Sequence, residues 1–294
     1  MVVARRGGAT QTLSTKTAID TRLHFHPAAD HACDFALSHK FSSLEQIKGK
    51  ETEATENHRR ERLAPLFGNR LWLTLGTSID HRMTRNCPTM YGAPQVNKPG
   101  GWAGDLCVVP GLNLTIGYRF VGGLTTTHEA ATAEAQRAAL AKVDTEWAEV
   151  GYPRGPDFVT FGGAEWDFKH FTEQKKRPNY EWVGAKLSGW LEAAAEQWPR
   201  AAGLSFRTTY FAPKAFASAE QYANYTAVMA GVAARHRPPA VLLRMDKLMR
   251  NGGAKGWSDG LHPAPFVTLA YIDLVLNVMA DVVSVMPRTA NSTG

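Results

Sequence analysis

Three short segments of this 294-residue chain concentrate the residue types that acyl-transfer chemistry needs. Gly76-Thr77-Ser78-Ile79-Asp80-His81-Arg82 carries a hydroxyl. Gly162-Gly163-Ala164-Glu165-Trp166-Asp167 carries two glycines that let the backbone turn sharply. Trp257-Ser258-Asp259-Gly260-Leu261-His262-Pro263 carries an Asp with a His three residues on. A serine hydroxyl is a poor nucleophile until a neighbouring imidazole can take its proton. The imidazole needs a carboxylate that fixes its tautomer and steadies the cation formed. In a tight turn, Asp259 can orient His262 without help from another element. Backbone N–H groups at glycine turns and helix starts can hold a developing oxyanion. The candidates here are Ser78 itself, Gly122, Gly123, Gly162 and Gly163.

Each piece also has a plainer explanation. Ser78 can cap the helix that follows its strand. Asp259-Gly260 is an ordinary turn pair, and His262 before Pro263 can be a turn residue. The coincidence of all three segments at strand ends favours chemistry. Arg82 and Arg207 also fall near strand ends, where they can bind an anionic or sugar group, or simply form surface salt bridges. Trp166 and Asp167 complete the substrate-contact candidates. Glu165 and Asp167 are the residue types of glycoside cleavage, but two residues apart they fix no catalytic separation. His24, His26 and His31 lack the carboxylate or cysteine frame of a metal site. No metal or cofactor is expected.

These segments need elements to position them. Leu71–Leu75 is a short apolar run closed by Gly76, as a buried parallel strand requires. Leu114–Phe120, Asp157–Phe161, Leu204–Phe211 and Ala240–Met245 read as four further strands. Between them, Thr127–Val150, Trp182–Trp198 and Ser218–Arg235 read as helices, the last opened by a Ser cap. Pro265–Val283 is the closing helix. The alternation predicts a three-layer α/β/α sandwich around five parallel strands in the order 2-1-3-4-5. Ligand sites in such sheets lie beyond the carboxyl ends of the strands. The three segments are the continuations of three of those ends.

The expected organisation is an N-terminal arm over residues 1–65, partly disordered, and one domain over residues 66–290. Met1–Asp20 is polar and lacks the apolar core of a signal peptide. Leu44–Leu63 is strongly charged and reads as a solvent-facing helix. Thr84–Pro110 is dense in Pro and Gly and reads as a long functional loop. Cys87 and Cys107 can pair and leave Cys33 free, or all three can be thiols. Three cysteines exclude a disulfide scaffold. The net charge of +6 is dispersed. The basic runs at Arg59-Arg60 and Lys175-Lys176-Arg177 lack interleaved aromatics, so no nucleic-acid partner is expected. Phe266–Met286 is long enough to span a bilayer. However, Asp273, Asn277 and Asp281 recur every four residues on one face, which fits an amphipathic helix and no transmembrane segment. The sequons at Asn113, Asn224 and Asn291 carry little weight without a signal segment.

In order and spacing, the three segments resemble the blocks of the SGNH/GDSL hydrolases. Gly-Thr-Ser-Ile-Asp resembles their nucleophile block, and Asp259-Gly260-Leu261-His262 their final Asp-x-x-His block. Gly162–Asp167 is most similar to a segment of the PC-esterase branch, which includes polysaccharide O-acetyltransferases. The resemblance runs from about Leu71 to Met286. It implies a flavodoxin-like sandwich, Ser78 as nucleophile, His262 as base and Asp259 as its orienter. It also implies a small-molecule or glycan ester as substrate and keeps the secretory pathway open. The family's usual nucleophile block has Asp where this chain has Thr77. Gly162 stands where the family uses an Asn side chain as an oxyanion donor. Losing one such donor typically costs about 10²–10³ in rate. If that missing donor limits the rate, Gly162→Asn is expected to raise it by up to about 10²-fold; no gain would mean that backbone donors already complete the hole. The alternative is a related module that binds a carbohydrate or lipid without turnover.

Overall fold

The computed structural model describes residues 2–6, 9–13, 64–91, 95–97, 104–109 and 112–285. Near the N-terminus, β1 (Val2–Arg6) and β2 (Ala9–Leu13) pair antiparallel in a sheet of their own. The histidines at 24, 26 and 31 and the charged stretch 44–63 lie outside the described residues. The remaining elements begin with α1 (Ala64–Phe67), β3 (Arg70–Gly76), α2 (Ser78–Tyr91), β4 (Gln95–Asn97), β5 (Gly104–Val109) and β6 (Leu114–Phe120). They continue with α3 (Ala133–Glu149), β7 (Phe158–Phe161), α4 (Ala164–Glu173) and α5 (Tyr180–Gln197). The last are β8 (Gly203–Arg207), α6 (Ala219–Arg235), β9 (Val241–Leu243), α7 (Met245–Gly252) and α8 (Pro265–Val285).

These strands form one seven-stranded sheet in the order β4-β5-β6-β3-β7-β8-β9. The five strands β6-β3-β7-β8-β9 are parallel and follow the order expected for them. The sheet as a whole is neither five-stranded nor wholly parallel. β5 pairs antiparallel with β6, and β4 with β5. The expected long loop at 84–110 is thus corrected. Its start belongs to α2, and the apolar run Leu106–Val109 lies in β5, between β4 and β6. The density of Pro and Gly on either side conceals that run. Cys107, on β5, is disulfide-bonded, which overturns the reading of three free thiols.

Apolar residues on β3 alternate between two cores, because successive side chains of a strand point to opposite faces. Leu71, Leu73 and Leu75 join the core formed with α3, α4, α5 and α6. Trp72 joins the core formed with α1, α2, α7 and α8. Helices thus cover both faces, as parallel strands require. Helix starts follow their local chemistry. Asn179 caps α5, and Ser218 with Gln221 forms a reciprocal capping box on α6. By length and composition Pro265–Val282 could cross a membrane. In the fold its Phe266, Val267, Tyr271, Ile272, Val275 and Met279 are buried in the second core.

Candidate active site

β3 delivers its last residue, Gly76, to the middle of the sheet's carboxyl edge. Thr77 follows, and its carbonyl accepts the first turn's bond from His81 N–H. Thr77 is therefore the helix cap, and Ser78 is the first residue inside α2. The plainer reading of Ser78 as the cap is corrected. Asp80 reaches back to accept the Thr77 N–H at 2.9 Å, the carboxylate half of a capping box. A Cβ on Gly76 would lie 2.1 Å from Asp80 Oδ2, so only glycine lets the carboxylate fold beneath the turn.

Freed from capping, the Ser78 hydroxyl sits 2.8 Å from His262 Nε2. His262 Nδ1 lies 2.8 Å from Asp259 Oδ2. The other Asp259 oxygen accepts the N–H groups of Leu261 at 3.0 Å and His262 at 2.9 Å. One carboxylate thus folds its own turn and orients the ring. Partial burial tends to raise the Asp259 pKa. The bonds from the His262 backbone, the His262 ring and Leu261 outweigh it and hold the carboxyl well below the usual range. An ionised carboxylate only accepts, so Nδ1 carries the ring proton and Nε2 is left to receive one from Ser78. The turn is fixed further by Gly260, at φ +83, whose carbonyl accepts Lys214 N–H at 3.0 Å. An antiparallel bridge joins Trp257 to Pro263 at its base.

The oxyanion candidates separate. Gly162 N–H is spent on the Leu75 carbonyl at 2.8 Å, so Gly162 drops out of the set. Among the described residues, the N–H groups of Ser78, Gly122, Gly123 and Gly163 have no acceptor in the backbone network. The turns that carry them touch. A Cβ on Gly163 would lie 3.5 Å from Thr77 Cγ2 and 3.6 Å from Gly123 Cα.

The four substrate-contact candidates also separate. Arg207 is not at the surface. It bridges Asp80 (2.5 and 3.0 Å) and Glu165 (3.0 and 3.1 Å), with the three side chains 1%, 0% and 4% exposed. Thr209 donates a further bond to Glu165 at 3.0 Å. Asp167 is wholly buried and engaged by the turn after β6, so it makes no substrate contact. With Glu165 and Asp167 both enclosed, the glycoside-cleavage pair is also ruled out. Arg82, one helical turn beyond Ser78, bonds Asp259 Oδ2 at 3.2 Å and so belongs with the Ser-His-Asp chain. Trp166 is half-buried, edge-on to Phe120 at 5.7 Å, with the Lys169 ammonium 4.4 Å from its ring centre.

Sequence reasoning misses Asp80, and it weighs Glu165 only as half of a glycoside-cleaving pair. Two signals pointed to them. Asp three residues after Thr77 is capping-box spacing. A lone Arg at the end of an apolar strand needs buried carboxylates to pair with. No group of three or more metal-binding side chains occurs among the described residues.

No protein-family model matches the chain, and no curated protein does. Solved structures are similar to it at low identity. One is a candidate acylhydrolase from Bacteroides fragilis (13% identical, TM-score 0.46, 79% of this chain and 100% of that one). Another is an α/β hydrolase from the metagenome of Lake Arreo, Spain (13%, TM-score 0.45, 74% and 97%). A third is a catalytic mutant of an acetylxylan esterase from Geobacillus stearothermophilus (14%, TM-score 0.44, 72% and 95%). Likeness at this level transfers no activity to the chain.

Proposed function

We propose that the chain is a serine-dependent esterase or O-acyltransferase acting through an acyl-Ser78 intermediate. One observation carries the reading: the unbroken chain from Ser78 Oγ through the His262 ring to Asp259, 2.8 Å at each link. Ser78 Oγ attacks the ester carbonyl as His262 Nε2 takes its proton. The carbonyl oxygen becomes an oxyanion held by the N–H of Ser78 and those of the neighbouring glycine turns. Collapse breaks the ester C–O bond, and the alcohol leaves with the proton from His262. Water or the hydroxyl of an acceptor such as a sugar then attacks the acyl group. His262 takes that proton and returns it to Ser78. Asp259 holds the imidazole in the tautomer that both steps need. The motif resemblance supports an O-acyl ester as substrate, with acetylated sugars as one class to test.

The test is labelling with a fluorophosphonate probe. Folded protein should label, and Ser78→Ala of equal far-UV circular dichroism should not. A screen of acetyl and longer p-nitrophenyl esters, with and without sugar acceptors, then separates hydrolysis from transfer. Folded protein that neither labels nor turns over, yet retains a glycan or lipid, would favour the binding-module alternative.

A further inference from the structure

Asp167 lies on α4 with its carboxylate fully enclosed, and every hydrogen bond it accepts through that carboxylate comes from outside α4. Oδ1 accepts the N–H of Thr125 at 3.0 Å, the N–H of Thr126 at 3.0 Å and the hydroxyl of Thr126 at 2.9 Å. Oδ2 accepts the N–H of Leu124 at 3.1 Å and the hydroxyl of Tyr225 at 2.6 Å. Because the Thr126 hydroxyl donates to the carboxylate, it accepts from His170 Nδ1 at 2.6 Å. Three successive N–H groups closing on one anion form a nest, a geometry that elsewhere binds ligand anions. Here the chain's own carboxylate takes that place; burial pushes its pKa up, and the bonds from Tyr225, Thr125 and Thr126 oppose the shift.

The rest of the turn is tied as firmly. The Leu124 carbonyl accepts Trp190 Nε1 at 2.7 Å, and the Gly123 carbonyl accepts the Thr127 hydroxyl at 3.3 Å. Val121 N–H reaches the Gly76 carbonyl at 2.7 Å, which splices the turn to the strand that delivers Ser78. Gly123 adopts φ +147, and a Cβ there would lie 2.5 Å from Asp167 Oδ1. Directly before the three pinned N–H groups come those of Gly122 and Gly123, which have no acceptor among the described residues.

We infer that Asp167 is a positioning residue of the oxyanion site, an internal carboxylate around which the turn after β6 is wrapped so that the Gly122–Gly123 N–H groups are held beside Ser78. The inference rests on the serine-esterase reading. Asp167→Asn keeps the shape but replaces one acceptor oxygen by an NH₂ that cannot accept from the turn. In folded Asp167→Asn, kcat for p-nitrophenyl acetate should fall toward the worth of one oxyanion donor, up to about 10²-fold to 10³-fold, with KM little changed. Affinity for methylboronic acid, which forms a tetrahedral adduct on Ser78, should fall by a similar factor, while inhibition by acetate stays as in the unaltered chain. Unchanged kcat and boronate affinity in folded Asp167→Asn would overturn the inference. So would kcat, KM and acetate binding worsening together in step with a lowered Tm, since that is a merely structural loss. If Asp167→Asn does not fold, Thr126→Val removes one side-chain donor instead. It should show a smaller fall of the same pattern, and wild-type boronate affinity in it would overturn the inference. Failure of the parent reading looks different: the unaltered chain itself would not label at Ser78.

Discussion

Position 162 is glycine because charge fills the space a side chain would need. A Cβ there would lie 2.6 Å from Asp80 Oδ2 and 2.9 Å from Arg207 Nε. The motif comparison expects an Asn at this point, and on sequence alone Gly162→Asn looks like a repair. The ion cluster reverses that expectation. Gly162→Asn should force a shift in a packed site, costing about 1–3 kcal/mol, with no gain in ester turnover. Thermal unfolding beside a p-nitrophenyl acetate assay reads both, and a faster, equally stable variant would refute the packing argument. The Ser-His-Asp chain makes a second prediction at this scale. His262→Ala should lose several orders of magnitude in kcat, Asp259→Asn no more than that, and the double variant little beyond the worse single one, since the residues act as a unit. The pH profile follows from Asp259. Its folded pKa is depressed, so its turn bonds contribute stability above the unfolded carboxylate pKa and lose it only as pH falls through the folded value. Asp259 stays ionised well below the usual carboxylate range, so its protonation should add no acid limb to kcat/KM above about pH 4.

The elements were legible where a repeating pattern was strong and hidden where a single interaction set the boundary. Leu71–Leu75, Leu114–Phe120 and the helices at 180–197 and 219–235 show their periodicity and caps in the sequence. β8 is different. The strand expected from the sequence runs to Phe211, yet β8 ends at Arg207, whose guanidinium turns into Asp80 and Glu165. β9 likewise ends at Leu243, and Met245 opens α7. β4 and β5 escaped notice among Pro and Gly. The residues of the Ser-His-Asp chain could be picked out in local segments. Its scaffold could not, since Asp80, Glu165 and Arg207 come from three segments and meet only in the fold. That cluster supplies the prediction at this scale. Arg207→Met leaves two buried carboxylates uncompensated and should cost about 3–5 kcal/mol, seen as a lower urea midpoint. A change within error would mean that the carboxylates take up protons or water without loss.

One sheet serves two cores, and that sets how the molecule responds to damage far from Ser78. Leu187, on α5, is fully buried in the core on one face. Ile79 and Met83, on the helix that Ser78 opens, lie in the core on the other. The faces share β3, whose Leu73 belongs to the first core and whose Trp72 belongs to the second. Trp72 Nε1 donates to the Thr160 hydroxyl at 2.9 Å, which is 2.9 Å from the Ser205 hydroxyl, so a polar thread also joins β3, β7 and β8. A cavity under α5 cannot stay local if these strands rise and fall together. Leu187→Ala should therefore cost about 2–5 kcal/mol, and the loss should appear equally at Ser78. With increasing urea, the far-UV circular dichroism midpoint and the midpoint for fluorophosphonate labelling of Ser78 should shift down together by the same amount. If labelling kept its original midpoint while the helical signal moved, the two cores would be unfolding separately, and β3 would not couple them.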